Sequence, residues 1–380
     1  MKAAAYFSDS YAQARARFVA AAQAAGAQIC SYAHPEARGP DGAPLFMDTA
    51  WFGPADAETV LLNTSGTHGA EGFGGSAAQL AWIGEGHARD LPQGVAVLMV
   101  HAVNPFGFAW VLRGTENNVD LNRNFVDHRM PYPENKLYGE IHPFLCPKTI
   151  DEASIARMLK GGALFVARHG QWVLEDAISR GQYSHADGYH FGGHAPEWSN
   201  LTLRHIVRRS LGGARRVGFI DWHTGPAGNG ELIHLCFSDP KGPEFARAAR
   251  WWGRQSLDPK MIEAMWGSRR PSRRGILFWG LESELAGRAR VTGAVVEIRS
   301  AQPKTNAADA LRVPMLERWL RFEGGLHAPE AARYTEEIRE DYAPRRVRWQ
   351  ENAITHALDC YARTLDGMRQ WGAEDLRAAD

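Results

Sequence analysis

Apolar residues along the chain follow two periods. The run ending in Val60-Leu61-Leu62 and the run at 95–100 are uninterrupted and short, the pattern of strands covered on both faces. Residues 27–32 and 45–52 read as further strands across the Pro/Gly-rich turn at 35–44. Helical spacing governs other stretches. Ser8 or Ser10 caps a helix to about residue 25, with Phe18, Val19 and Ala22 on one side and Gly26 stopping it. Further helices are predicted from 76 to 83, over 151–178, and over 307–322 with Leu311, Met315, Leu316 and Trp319 inward. From 347 to 368 a stripe of Trp349, Ala353, Ala357, Cys360, Tyr361, Leu365 and Met368 must bury, either on the core or against a second copy in a homo-oligomer. His356 on that stripe reads as a satisfied packing residue.

The order strand, loop, helix, strand predicts an α/β fold: a single domain with a mixed, largely parallel central sheet flanked by helices. Ligands in such sheets gather at the carboxyl ends of strands. Gly324-Gly325 and Pro329 mark a boundary, which divides the chain into 1–325, with an insertion at 126–215, and a helical extension at 326–380.

Composition narrows the partners. Lys+Arg and Asp+Glu both total 43, so no overall charge draws the 380-residue chain to nucleic acid or an anionic membrane. Arg-rich pieces at 204–216 and 269–274 are broken by apolar residues and read as solvated faces. Cys30, Cys146, Cys236 and Cys360 are scattered, as reduced thiols would be. Residues 1–7 are too short for a signal-peptide core, and no later stretch is long enough for a membrane span. The expected setting is the cytoplasm.

Candidate chemistry begins where the first buried strand ends. His68 and Glu71 stand three apart, so one turn aims an imidazole and a carboxylate at one point, a combination that binds zinc. Gly66, Gly69, Gly72, Gly74 and Gly75 around them have no evident packing role and mark a functional loop. A third ligand must come from elsewhere. Downstream, Asn104-Pro105-Phe106-Gly107, then Arg113, then Asp120-Leu121-Asn122-Arg123-Asn124-Phe125 set polar residues against an apolar edge. Phe219-Ile220-Asp221-Trp222-His223-Thr224-Gly225 and Ala294-Val295-Val296-Glu297-Ile298-Arg299 each carry a candidate acid or base on an apolar strand.

The order and spacing of these five motifs, over about residues 55 to 300, resemble the zinc carboxypeptidase superfamily, which includes the aspartoacylase and succinylglutamate desuccinylase branch. The resemblance implies one zinc held by His68, Glu71 and His223, Glu297 as catalytic base and Arg113 beside the scissile carbonyl. It also implies Asn122 and Arg123 as the grip on a substrate carboxylate, and Asp120 holding His68 by its outer nitrogen. Asp221 is a candidate for the same task at His223, or a plain turn residue. The family's mobile tyrosine has no clear counterpart; Tyr183 and Tyr189 are candidates by location.

Two imidazoles and one carboxylate leave zinc an open position, which suits hydrolysis. The expected substrate is a small peptide or N-acyl amino acid with a free carboxylate; deacylation of N-acyl amino acids, ester hydrolysis and a non-catalytic binding role are the alternatives. His185, His190 and His194 lie in glycine-rich sequence with no carboxylate at ligand spacing, and read as substrate-contacting or solvated residues rather than a second metal site. Their stretch, within an insertion that starts and ends between two site motifs, is expected to form a rim or lid that limits substrate size.

Overall fold

The computed structural model describes residues 3–257, 273–300 and 306–379, the last eight by backbone alone. Seven strands form one sheet: β1 (Gln28–Arg38), β2 (Pro44–Phe52), β3 (Thr59–Ser65), β4 (Val95–His101), β5 (Arg216–Thr224), β6 (Leu232–Leu235) and β7 (Arg290–Ile298). Their spatial order is β1-β2-β4-β3-β5-β7-β6. The central members β4, β3, β5 and β7 run parallel, while β1, β2 and β6 are antiparallel additions at the edges. The α/β fold is therefore the mixed, largely parallel sheet that the apolar runs predict.

Both faces of the sheet are buried, and strand alternation divides its side chains between them. Leu61, Val97, Met99, Ile220, Trp222 and Val296 join one core with the helices Tyr11–Ala24, Gly72–Gly84, Pro243–Trp252 and Val347–Ala379. Val60, Leu62, Leu98, Val217, Phe219 and Val295 join the other with the helices Trp198–Ser210 and Leu277–Leu285. The stripe from Trp349 to Met368 is buried against the first core, so the last helix packs on the sheet; Tyr361 Oη donates to Asn63 Oδ1 (2.6 Å) and accepts from Trp222 Nε1 (3.0 Å). His356 is half-buried and its Nδ1 lies 3.0 Å from the Gly230 carbonyl oxygen.

Several boundaries move. The first helix, Tyr11–Ala24, is capped by Ser10, which accepts from Gln13 N. β1 runs into the predicted turn as far as Arg38, with a register shift between Ala33 and Arg38 where Pro35 falls. The single predicted helix at 151–178 is two, Glu152–His169 and Gln171–Ser179, parted at Gly170, whose φ of 92° ends the first. Residues 326–380 hold two helices, Ala331–Tyr342 and Val347–Ala379. Among the described residues no helix is long and apolar enough to cross a membrane.

Candidate metal centre

The site lies at the carboxyl ends of β3, β5 and β7. β3 delivers the chain to His68 through Gly66, whose φ of 68° turns it, and residues 69–71 form a short turn before the helix Gly72–Gly84. This turn packs backbone on backbone: Ala70 N donates to Leu112 O (2.9 Å), and a Cβ on Gly69 would stand 2.0 Å from Gly107 C. A Cβ on Gly72 would meet the Phe108 ring at 2.7 Å, and one on Gly75 would meet Trp222 Cβ at 2.7 Å. The glycines thus have a packing role after all: they bring the ligand-bearing turn and its helix down onto β5 and the 105–113 segment. Spacing along the chain could not disclose those neighbours, because each lies far away in sequence.

His68, Glu71 and His223 are all buried and converge. His68 Nδ1 lies 3.0 Å from Glu71 Oε1, His223 Nδ1 lies 3.0 Å from Glu71 Oε2, and the two Nδ1 atoms are 3.0 Å apart. Each outer ring nitrogen faces a carboxylate: His68 Nε2 is 3.0 Å from Asp120 Oδ1, and His223 Nε2 is 2.8 Å from Asp221 Oδ2. A neutral imidazole has one N–H. When that proton is given to the outer carboxylate, both Nδ1 atoms become bare acceptors turned toward a third acceptor. Three converging lone pairs in a buried space repel unless a cation lies among them. Tetrahedral zinc would set its ligand atoms about 3.3 Å apart, close to the spacing seen.

The charges agree. Burial raises the Glu71 carboxyl, but the two imidazoles outweigh it and hold its pKa well below the usual range. Burial disfavours charge on His223, yet Asp221 and Glu71 hold its pKa well above the ordinary value. Positive charge is what this shell stabilises. Asp221 is fixed in turn, its Oδ1 accepting from Thr64 Oγ1 (2.7 Å) and Thr67 Oγ1 (2.8 Å). Thr67, next to His68 in sequence, was overlooked as part of the support. Asp221→Asn should weaken zinc affinity by roughly 10- to 100-fold, because the amide no longer fixes which His223 nitrogen is bare. Titration against a chromophoric chelator would measure this, and an unchanged affinity would show the carboxylate idle.

Glu297 is the register partner of His223 across β5 and β7, so both side chains leave the sheet on the same side. It is half-buried, and its Oε2 is shut off from solvent with no hydrogen-bond partner among the described residues. Burial, with the Glu71 carboxylate adding to it, pushes its pKa up to about 7.

The arginines divide. Arg113 Nη1 lies 3.0 Å from Glu71 Oε1 and its Nε 3.2 Å from Asp120 Oδ2. Another Arg113 nitrogen sits 2.9 Å from His68 Nε2, a close contact between two donors when Nε2 gives its proton to Asp120. Arg123 is buried and donates to the carbonyls of Asn122 (2.7 Å) and Ser179, with no carboxylate ion pair among the described residues. Asn122 Oδ1 accepts from Leu277 N (2.9 Å) at the start of the helix Leu277–Leu285. Tyr183 Oη donates to Arg123 O and its ring stacks on Tyr132 at 5.0 Å, whereas Tyr189 lines a cavity beside Arg113.

The Arg-rich readings separate too. In the 204–216 piece, Arg204 and Arg208 pair with Glu284. Residues 269–272 lie outside the described residues, but Arg273 is no solvated face. It is half-buried, and burial together with Arg123 and Arg113 pushes its pKa down to about 10, with Asp120 and Glu297 also within electrostatic reach. No signal in the sequence set it apart from its neighbours. Of the three insertion histidines, His190 reaches Asp120 Oδ2 (2.9 Å), His185 packs tilted against the His142 ring with centroids 4.3 Å apart, and His194 Nε2 lies 2.6 Å from Tyr183 O. Among the described residues His68, Glu71 and His223 are the cluster able to hold a metal.

The family described as "Protein of unknown function (DUF2817)" matches residues 7–356. The chain belongs to that family. No curated protein matches this DUF2817 chain. Among solved structures it is similar to bovine thrombin-activatable fibrinolysis inhibitor in complex with tick carboxypeptidase inhibitor (11% identity, TM-score 0.46, covering 96% of this chain and 98% of that one). It is also similar to carboxypeptidase A from Helicoverpa armigera (13%, 0.45, 88% and 74%) and to succinylglutamate desuccinylase from Chromobacterium violaceum (15%, 0.35, 80% and 72%).

Proposed function

We propose that the protein is a zinc-dependent hydrolase that cleaves an amide bond adjacent to a free carboxylate, as a carboxypeptidase or a small-molecule amidohydrolase. The observation that carries this reading is the convergence of His68 Nδ1 and His223 Nδ1, 3.0 Å from each other and each 3.0 Å from one oxygen of the Glu71 carboxylate, with Asp120 and Asp221 on the outer nitrogens. A bound zinc would supply Lewis acidity toward a carbonyl oxygen and a water at neutral pH.

The chain's own residues supply the rest. Glu297, close to neutral pH in its proton affinity, takes a proton from water at its carboxylate and returns it to the leaving nitrogen. Arg113, half-exposed at the mouth of the cavity and paired with Asp120, is the donor for negative charge growing on the carbonyl oxygen. Arg123 would take the substrate carboxylate bidentately, with the Asn122 amide NH2 beside it and Arg273 adding positive charge. The Arg123 guanidinium, buried and held by backbone carbonyls, favours an anionic visitor.

Esterifying or amidating the substrate's carboxylate should therefore cost about tenfold or more in kcat/KM, and Arg123→Lys should reduce that discrimination because an ammonium cannot copy the planar fork. Equal rates on the free and blocked forms would remove Arg123 from the role.

The insertion's position supports its reading as a rim: Asp120 N donates to Phe191 O (2.8 Å), and Ile178, Gly188, Tyr189 and His190 line the cavity beside Arg113. Short substrates are the expected class. Tyr183→Ala should change catalytic efficiency on short peptides with little change in melting temperature, and rapid cleavage of folded proteins by the unmodified enzyme would count against a narrow site.

A further inference from the structure

The insertion places one histidine against the metal centre's outer shell. His190 has φ +51°, a left-handed conformation that an L-residue adopts only when its surroundings require it. Its backbone is hooked at two points: Gln182 N donates to His190 O (3.1 Å), and Asp120 N donates to the next carbonyl, Phe191 O (2.8 Å). The imidazole Nδ1 then lies 2.9 Å from Asp120 Oδ2. Both Asp120 oxygens already accept, Oδ2 from Arg113 Nε (3.2 Å) and Oδ1 from Asn122 N (2.9 Å), so in the contact with His190 it is Nδ1 that carries the proton. Burial, reinforced by Arg113 and Arg123, pushes the His190 pKa down to about 4, which leaves the ring neutral and Nε2 a bare acceptor. That nitrogen has no partner among the described residues.

The ring is 21% exposed, and it forms part of the wall of a cavity of about 240 Å3. Leu311, Pro314 and Glu317 on the helix Ala307–Phe322 line the same cavity. The cavity adjoins the metal centre through Arg113 and Asp120, whose side chains it shares. In the cavity's lining Arg113 and Arg318 offer only donors and are paired with Asp120 and Asp187, so the bare acceptor of His190 selects a different part of the substrate.

We infer that His190 is a specificity-determining residue whose Nε2 accepts an N–H of the substrate other than that of the bond being broken. The nitrogen of the broken bond must gain a proton as it leaves, a need that Glu297 meets and a bare acceptor does not. This inference rests on the hydrolase reading and narrows it: a substrate with a second amide, such as an N-acyl dipeptide, is preferred over a simple N-acyl amino acid or an ester.

Two measurements on the zinc-loaded protein test it. Imidazole 15N NMR at pH 7, assigned by difference from His190→Asn, should show a neutral ring protonated at Nδ1; an Nε2–H tautomer or an imidazolium would overturn the inference whatever the protein hydrolyses. The second compares an N-acetyl dipeptide with its analogue in which oxygen replaces the acetylated N–H. Wild type should favour the amide by about tenfold, mostly through KM. His190→Asn, which tolerates the left-handed backbone, and His190→Gly, which relieves it, should both lose that preference while holding zinc stoichiometrically. An unchanged preference in both variants would overturn the role. No hydrolysis of either compound by wild type would overturn the hydrolase reading and the substrate preference together, a result distinct from a preference that survives substitution.

Discussion

Glu297→Gln is expected to keep its zinc and its melting temperature and to lose about 100-fold or more in kcat, the range that removal of a general base produces. The amide is nearly the same size, so the register pair with His223 and the packing around β7 stay intact. What disappears is the capacity of the carboxylate to accept a proton. The pH profile adds a second readout. Burial and the Glu71 carboxylate raise Glu297 to about 7, and a protonated carboxyl cannot act as base, so activity should fall as pH drops through its pKa. A cation held by Glu71 cancels part of that push, which sets the acid limb of the loaded enzyme below 7; Glu297→Gln should abolish the limb. Wild-type rates in the variant would move the base elsewhere.

Loss of metal is the second large effect. His68→Ala and His223→Ala should each take zinc from about one per chain to near none after dialysis, because two ligand atoms cannot close the site that three define. Zinc that binds only the folded chain also raises its stability, by about 2.7 kcal/mol at one hundred times the dissociation constant. Wild type should therefore melt at a higher temperature as zinc is added, and neither variant should. Stoichiometric zinc in both variants would dismiss the triad.

What the sequence discloses here is whatever depends on near neighbours. The buried runs of β3 and β4, the cap at Ser10, and the three-residue interval of His68 and Glu71 all carry their cause within a few positions. Features that depend on distant partners stay hidden. Gly69 and Gly75 look idle until Gly107 and Trp222 are seen against them. Arg273 resembles any surface arginine until the fold sets it near Arg123 and Glu297. Asp221 could be a turn residue by its neighbours; the pairing of β5 with β3 supplies Thr64 and gives it a fixed orientation.

The sheet's two outer strands bear on how copies of this chain can meet. An open strand edge invites another chain to add to it. β6 is only four residues long, Leu232–Leu235, and offers little to extend. On the far side β1 carries Pro35 at its register shift, and the amides of Glu36 and Ala37 turn inward to donate to the His34 ring, at 3.3 and 2.9 Å. Among the described residues β6 is thus a short margin and β1 a regular one only from Gln28 to Ala33, which confines any joining of copies through the sheet to that stretch.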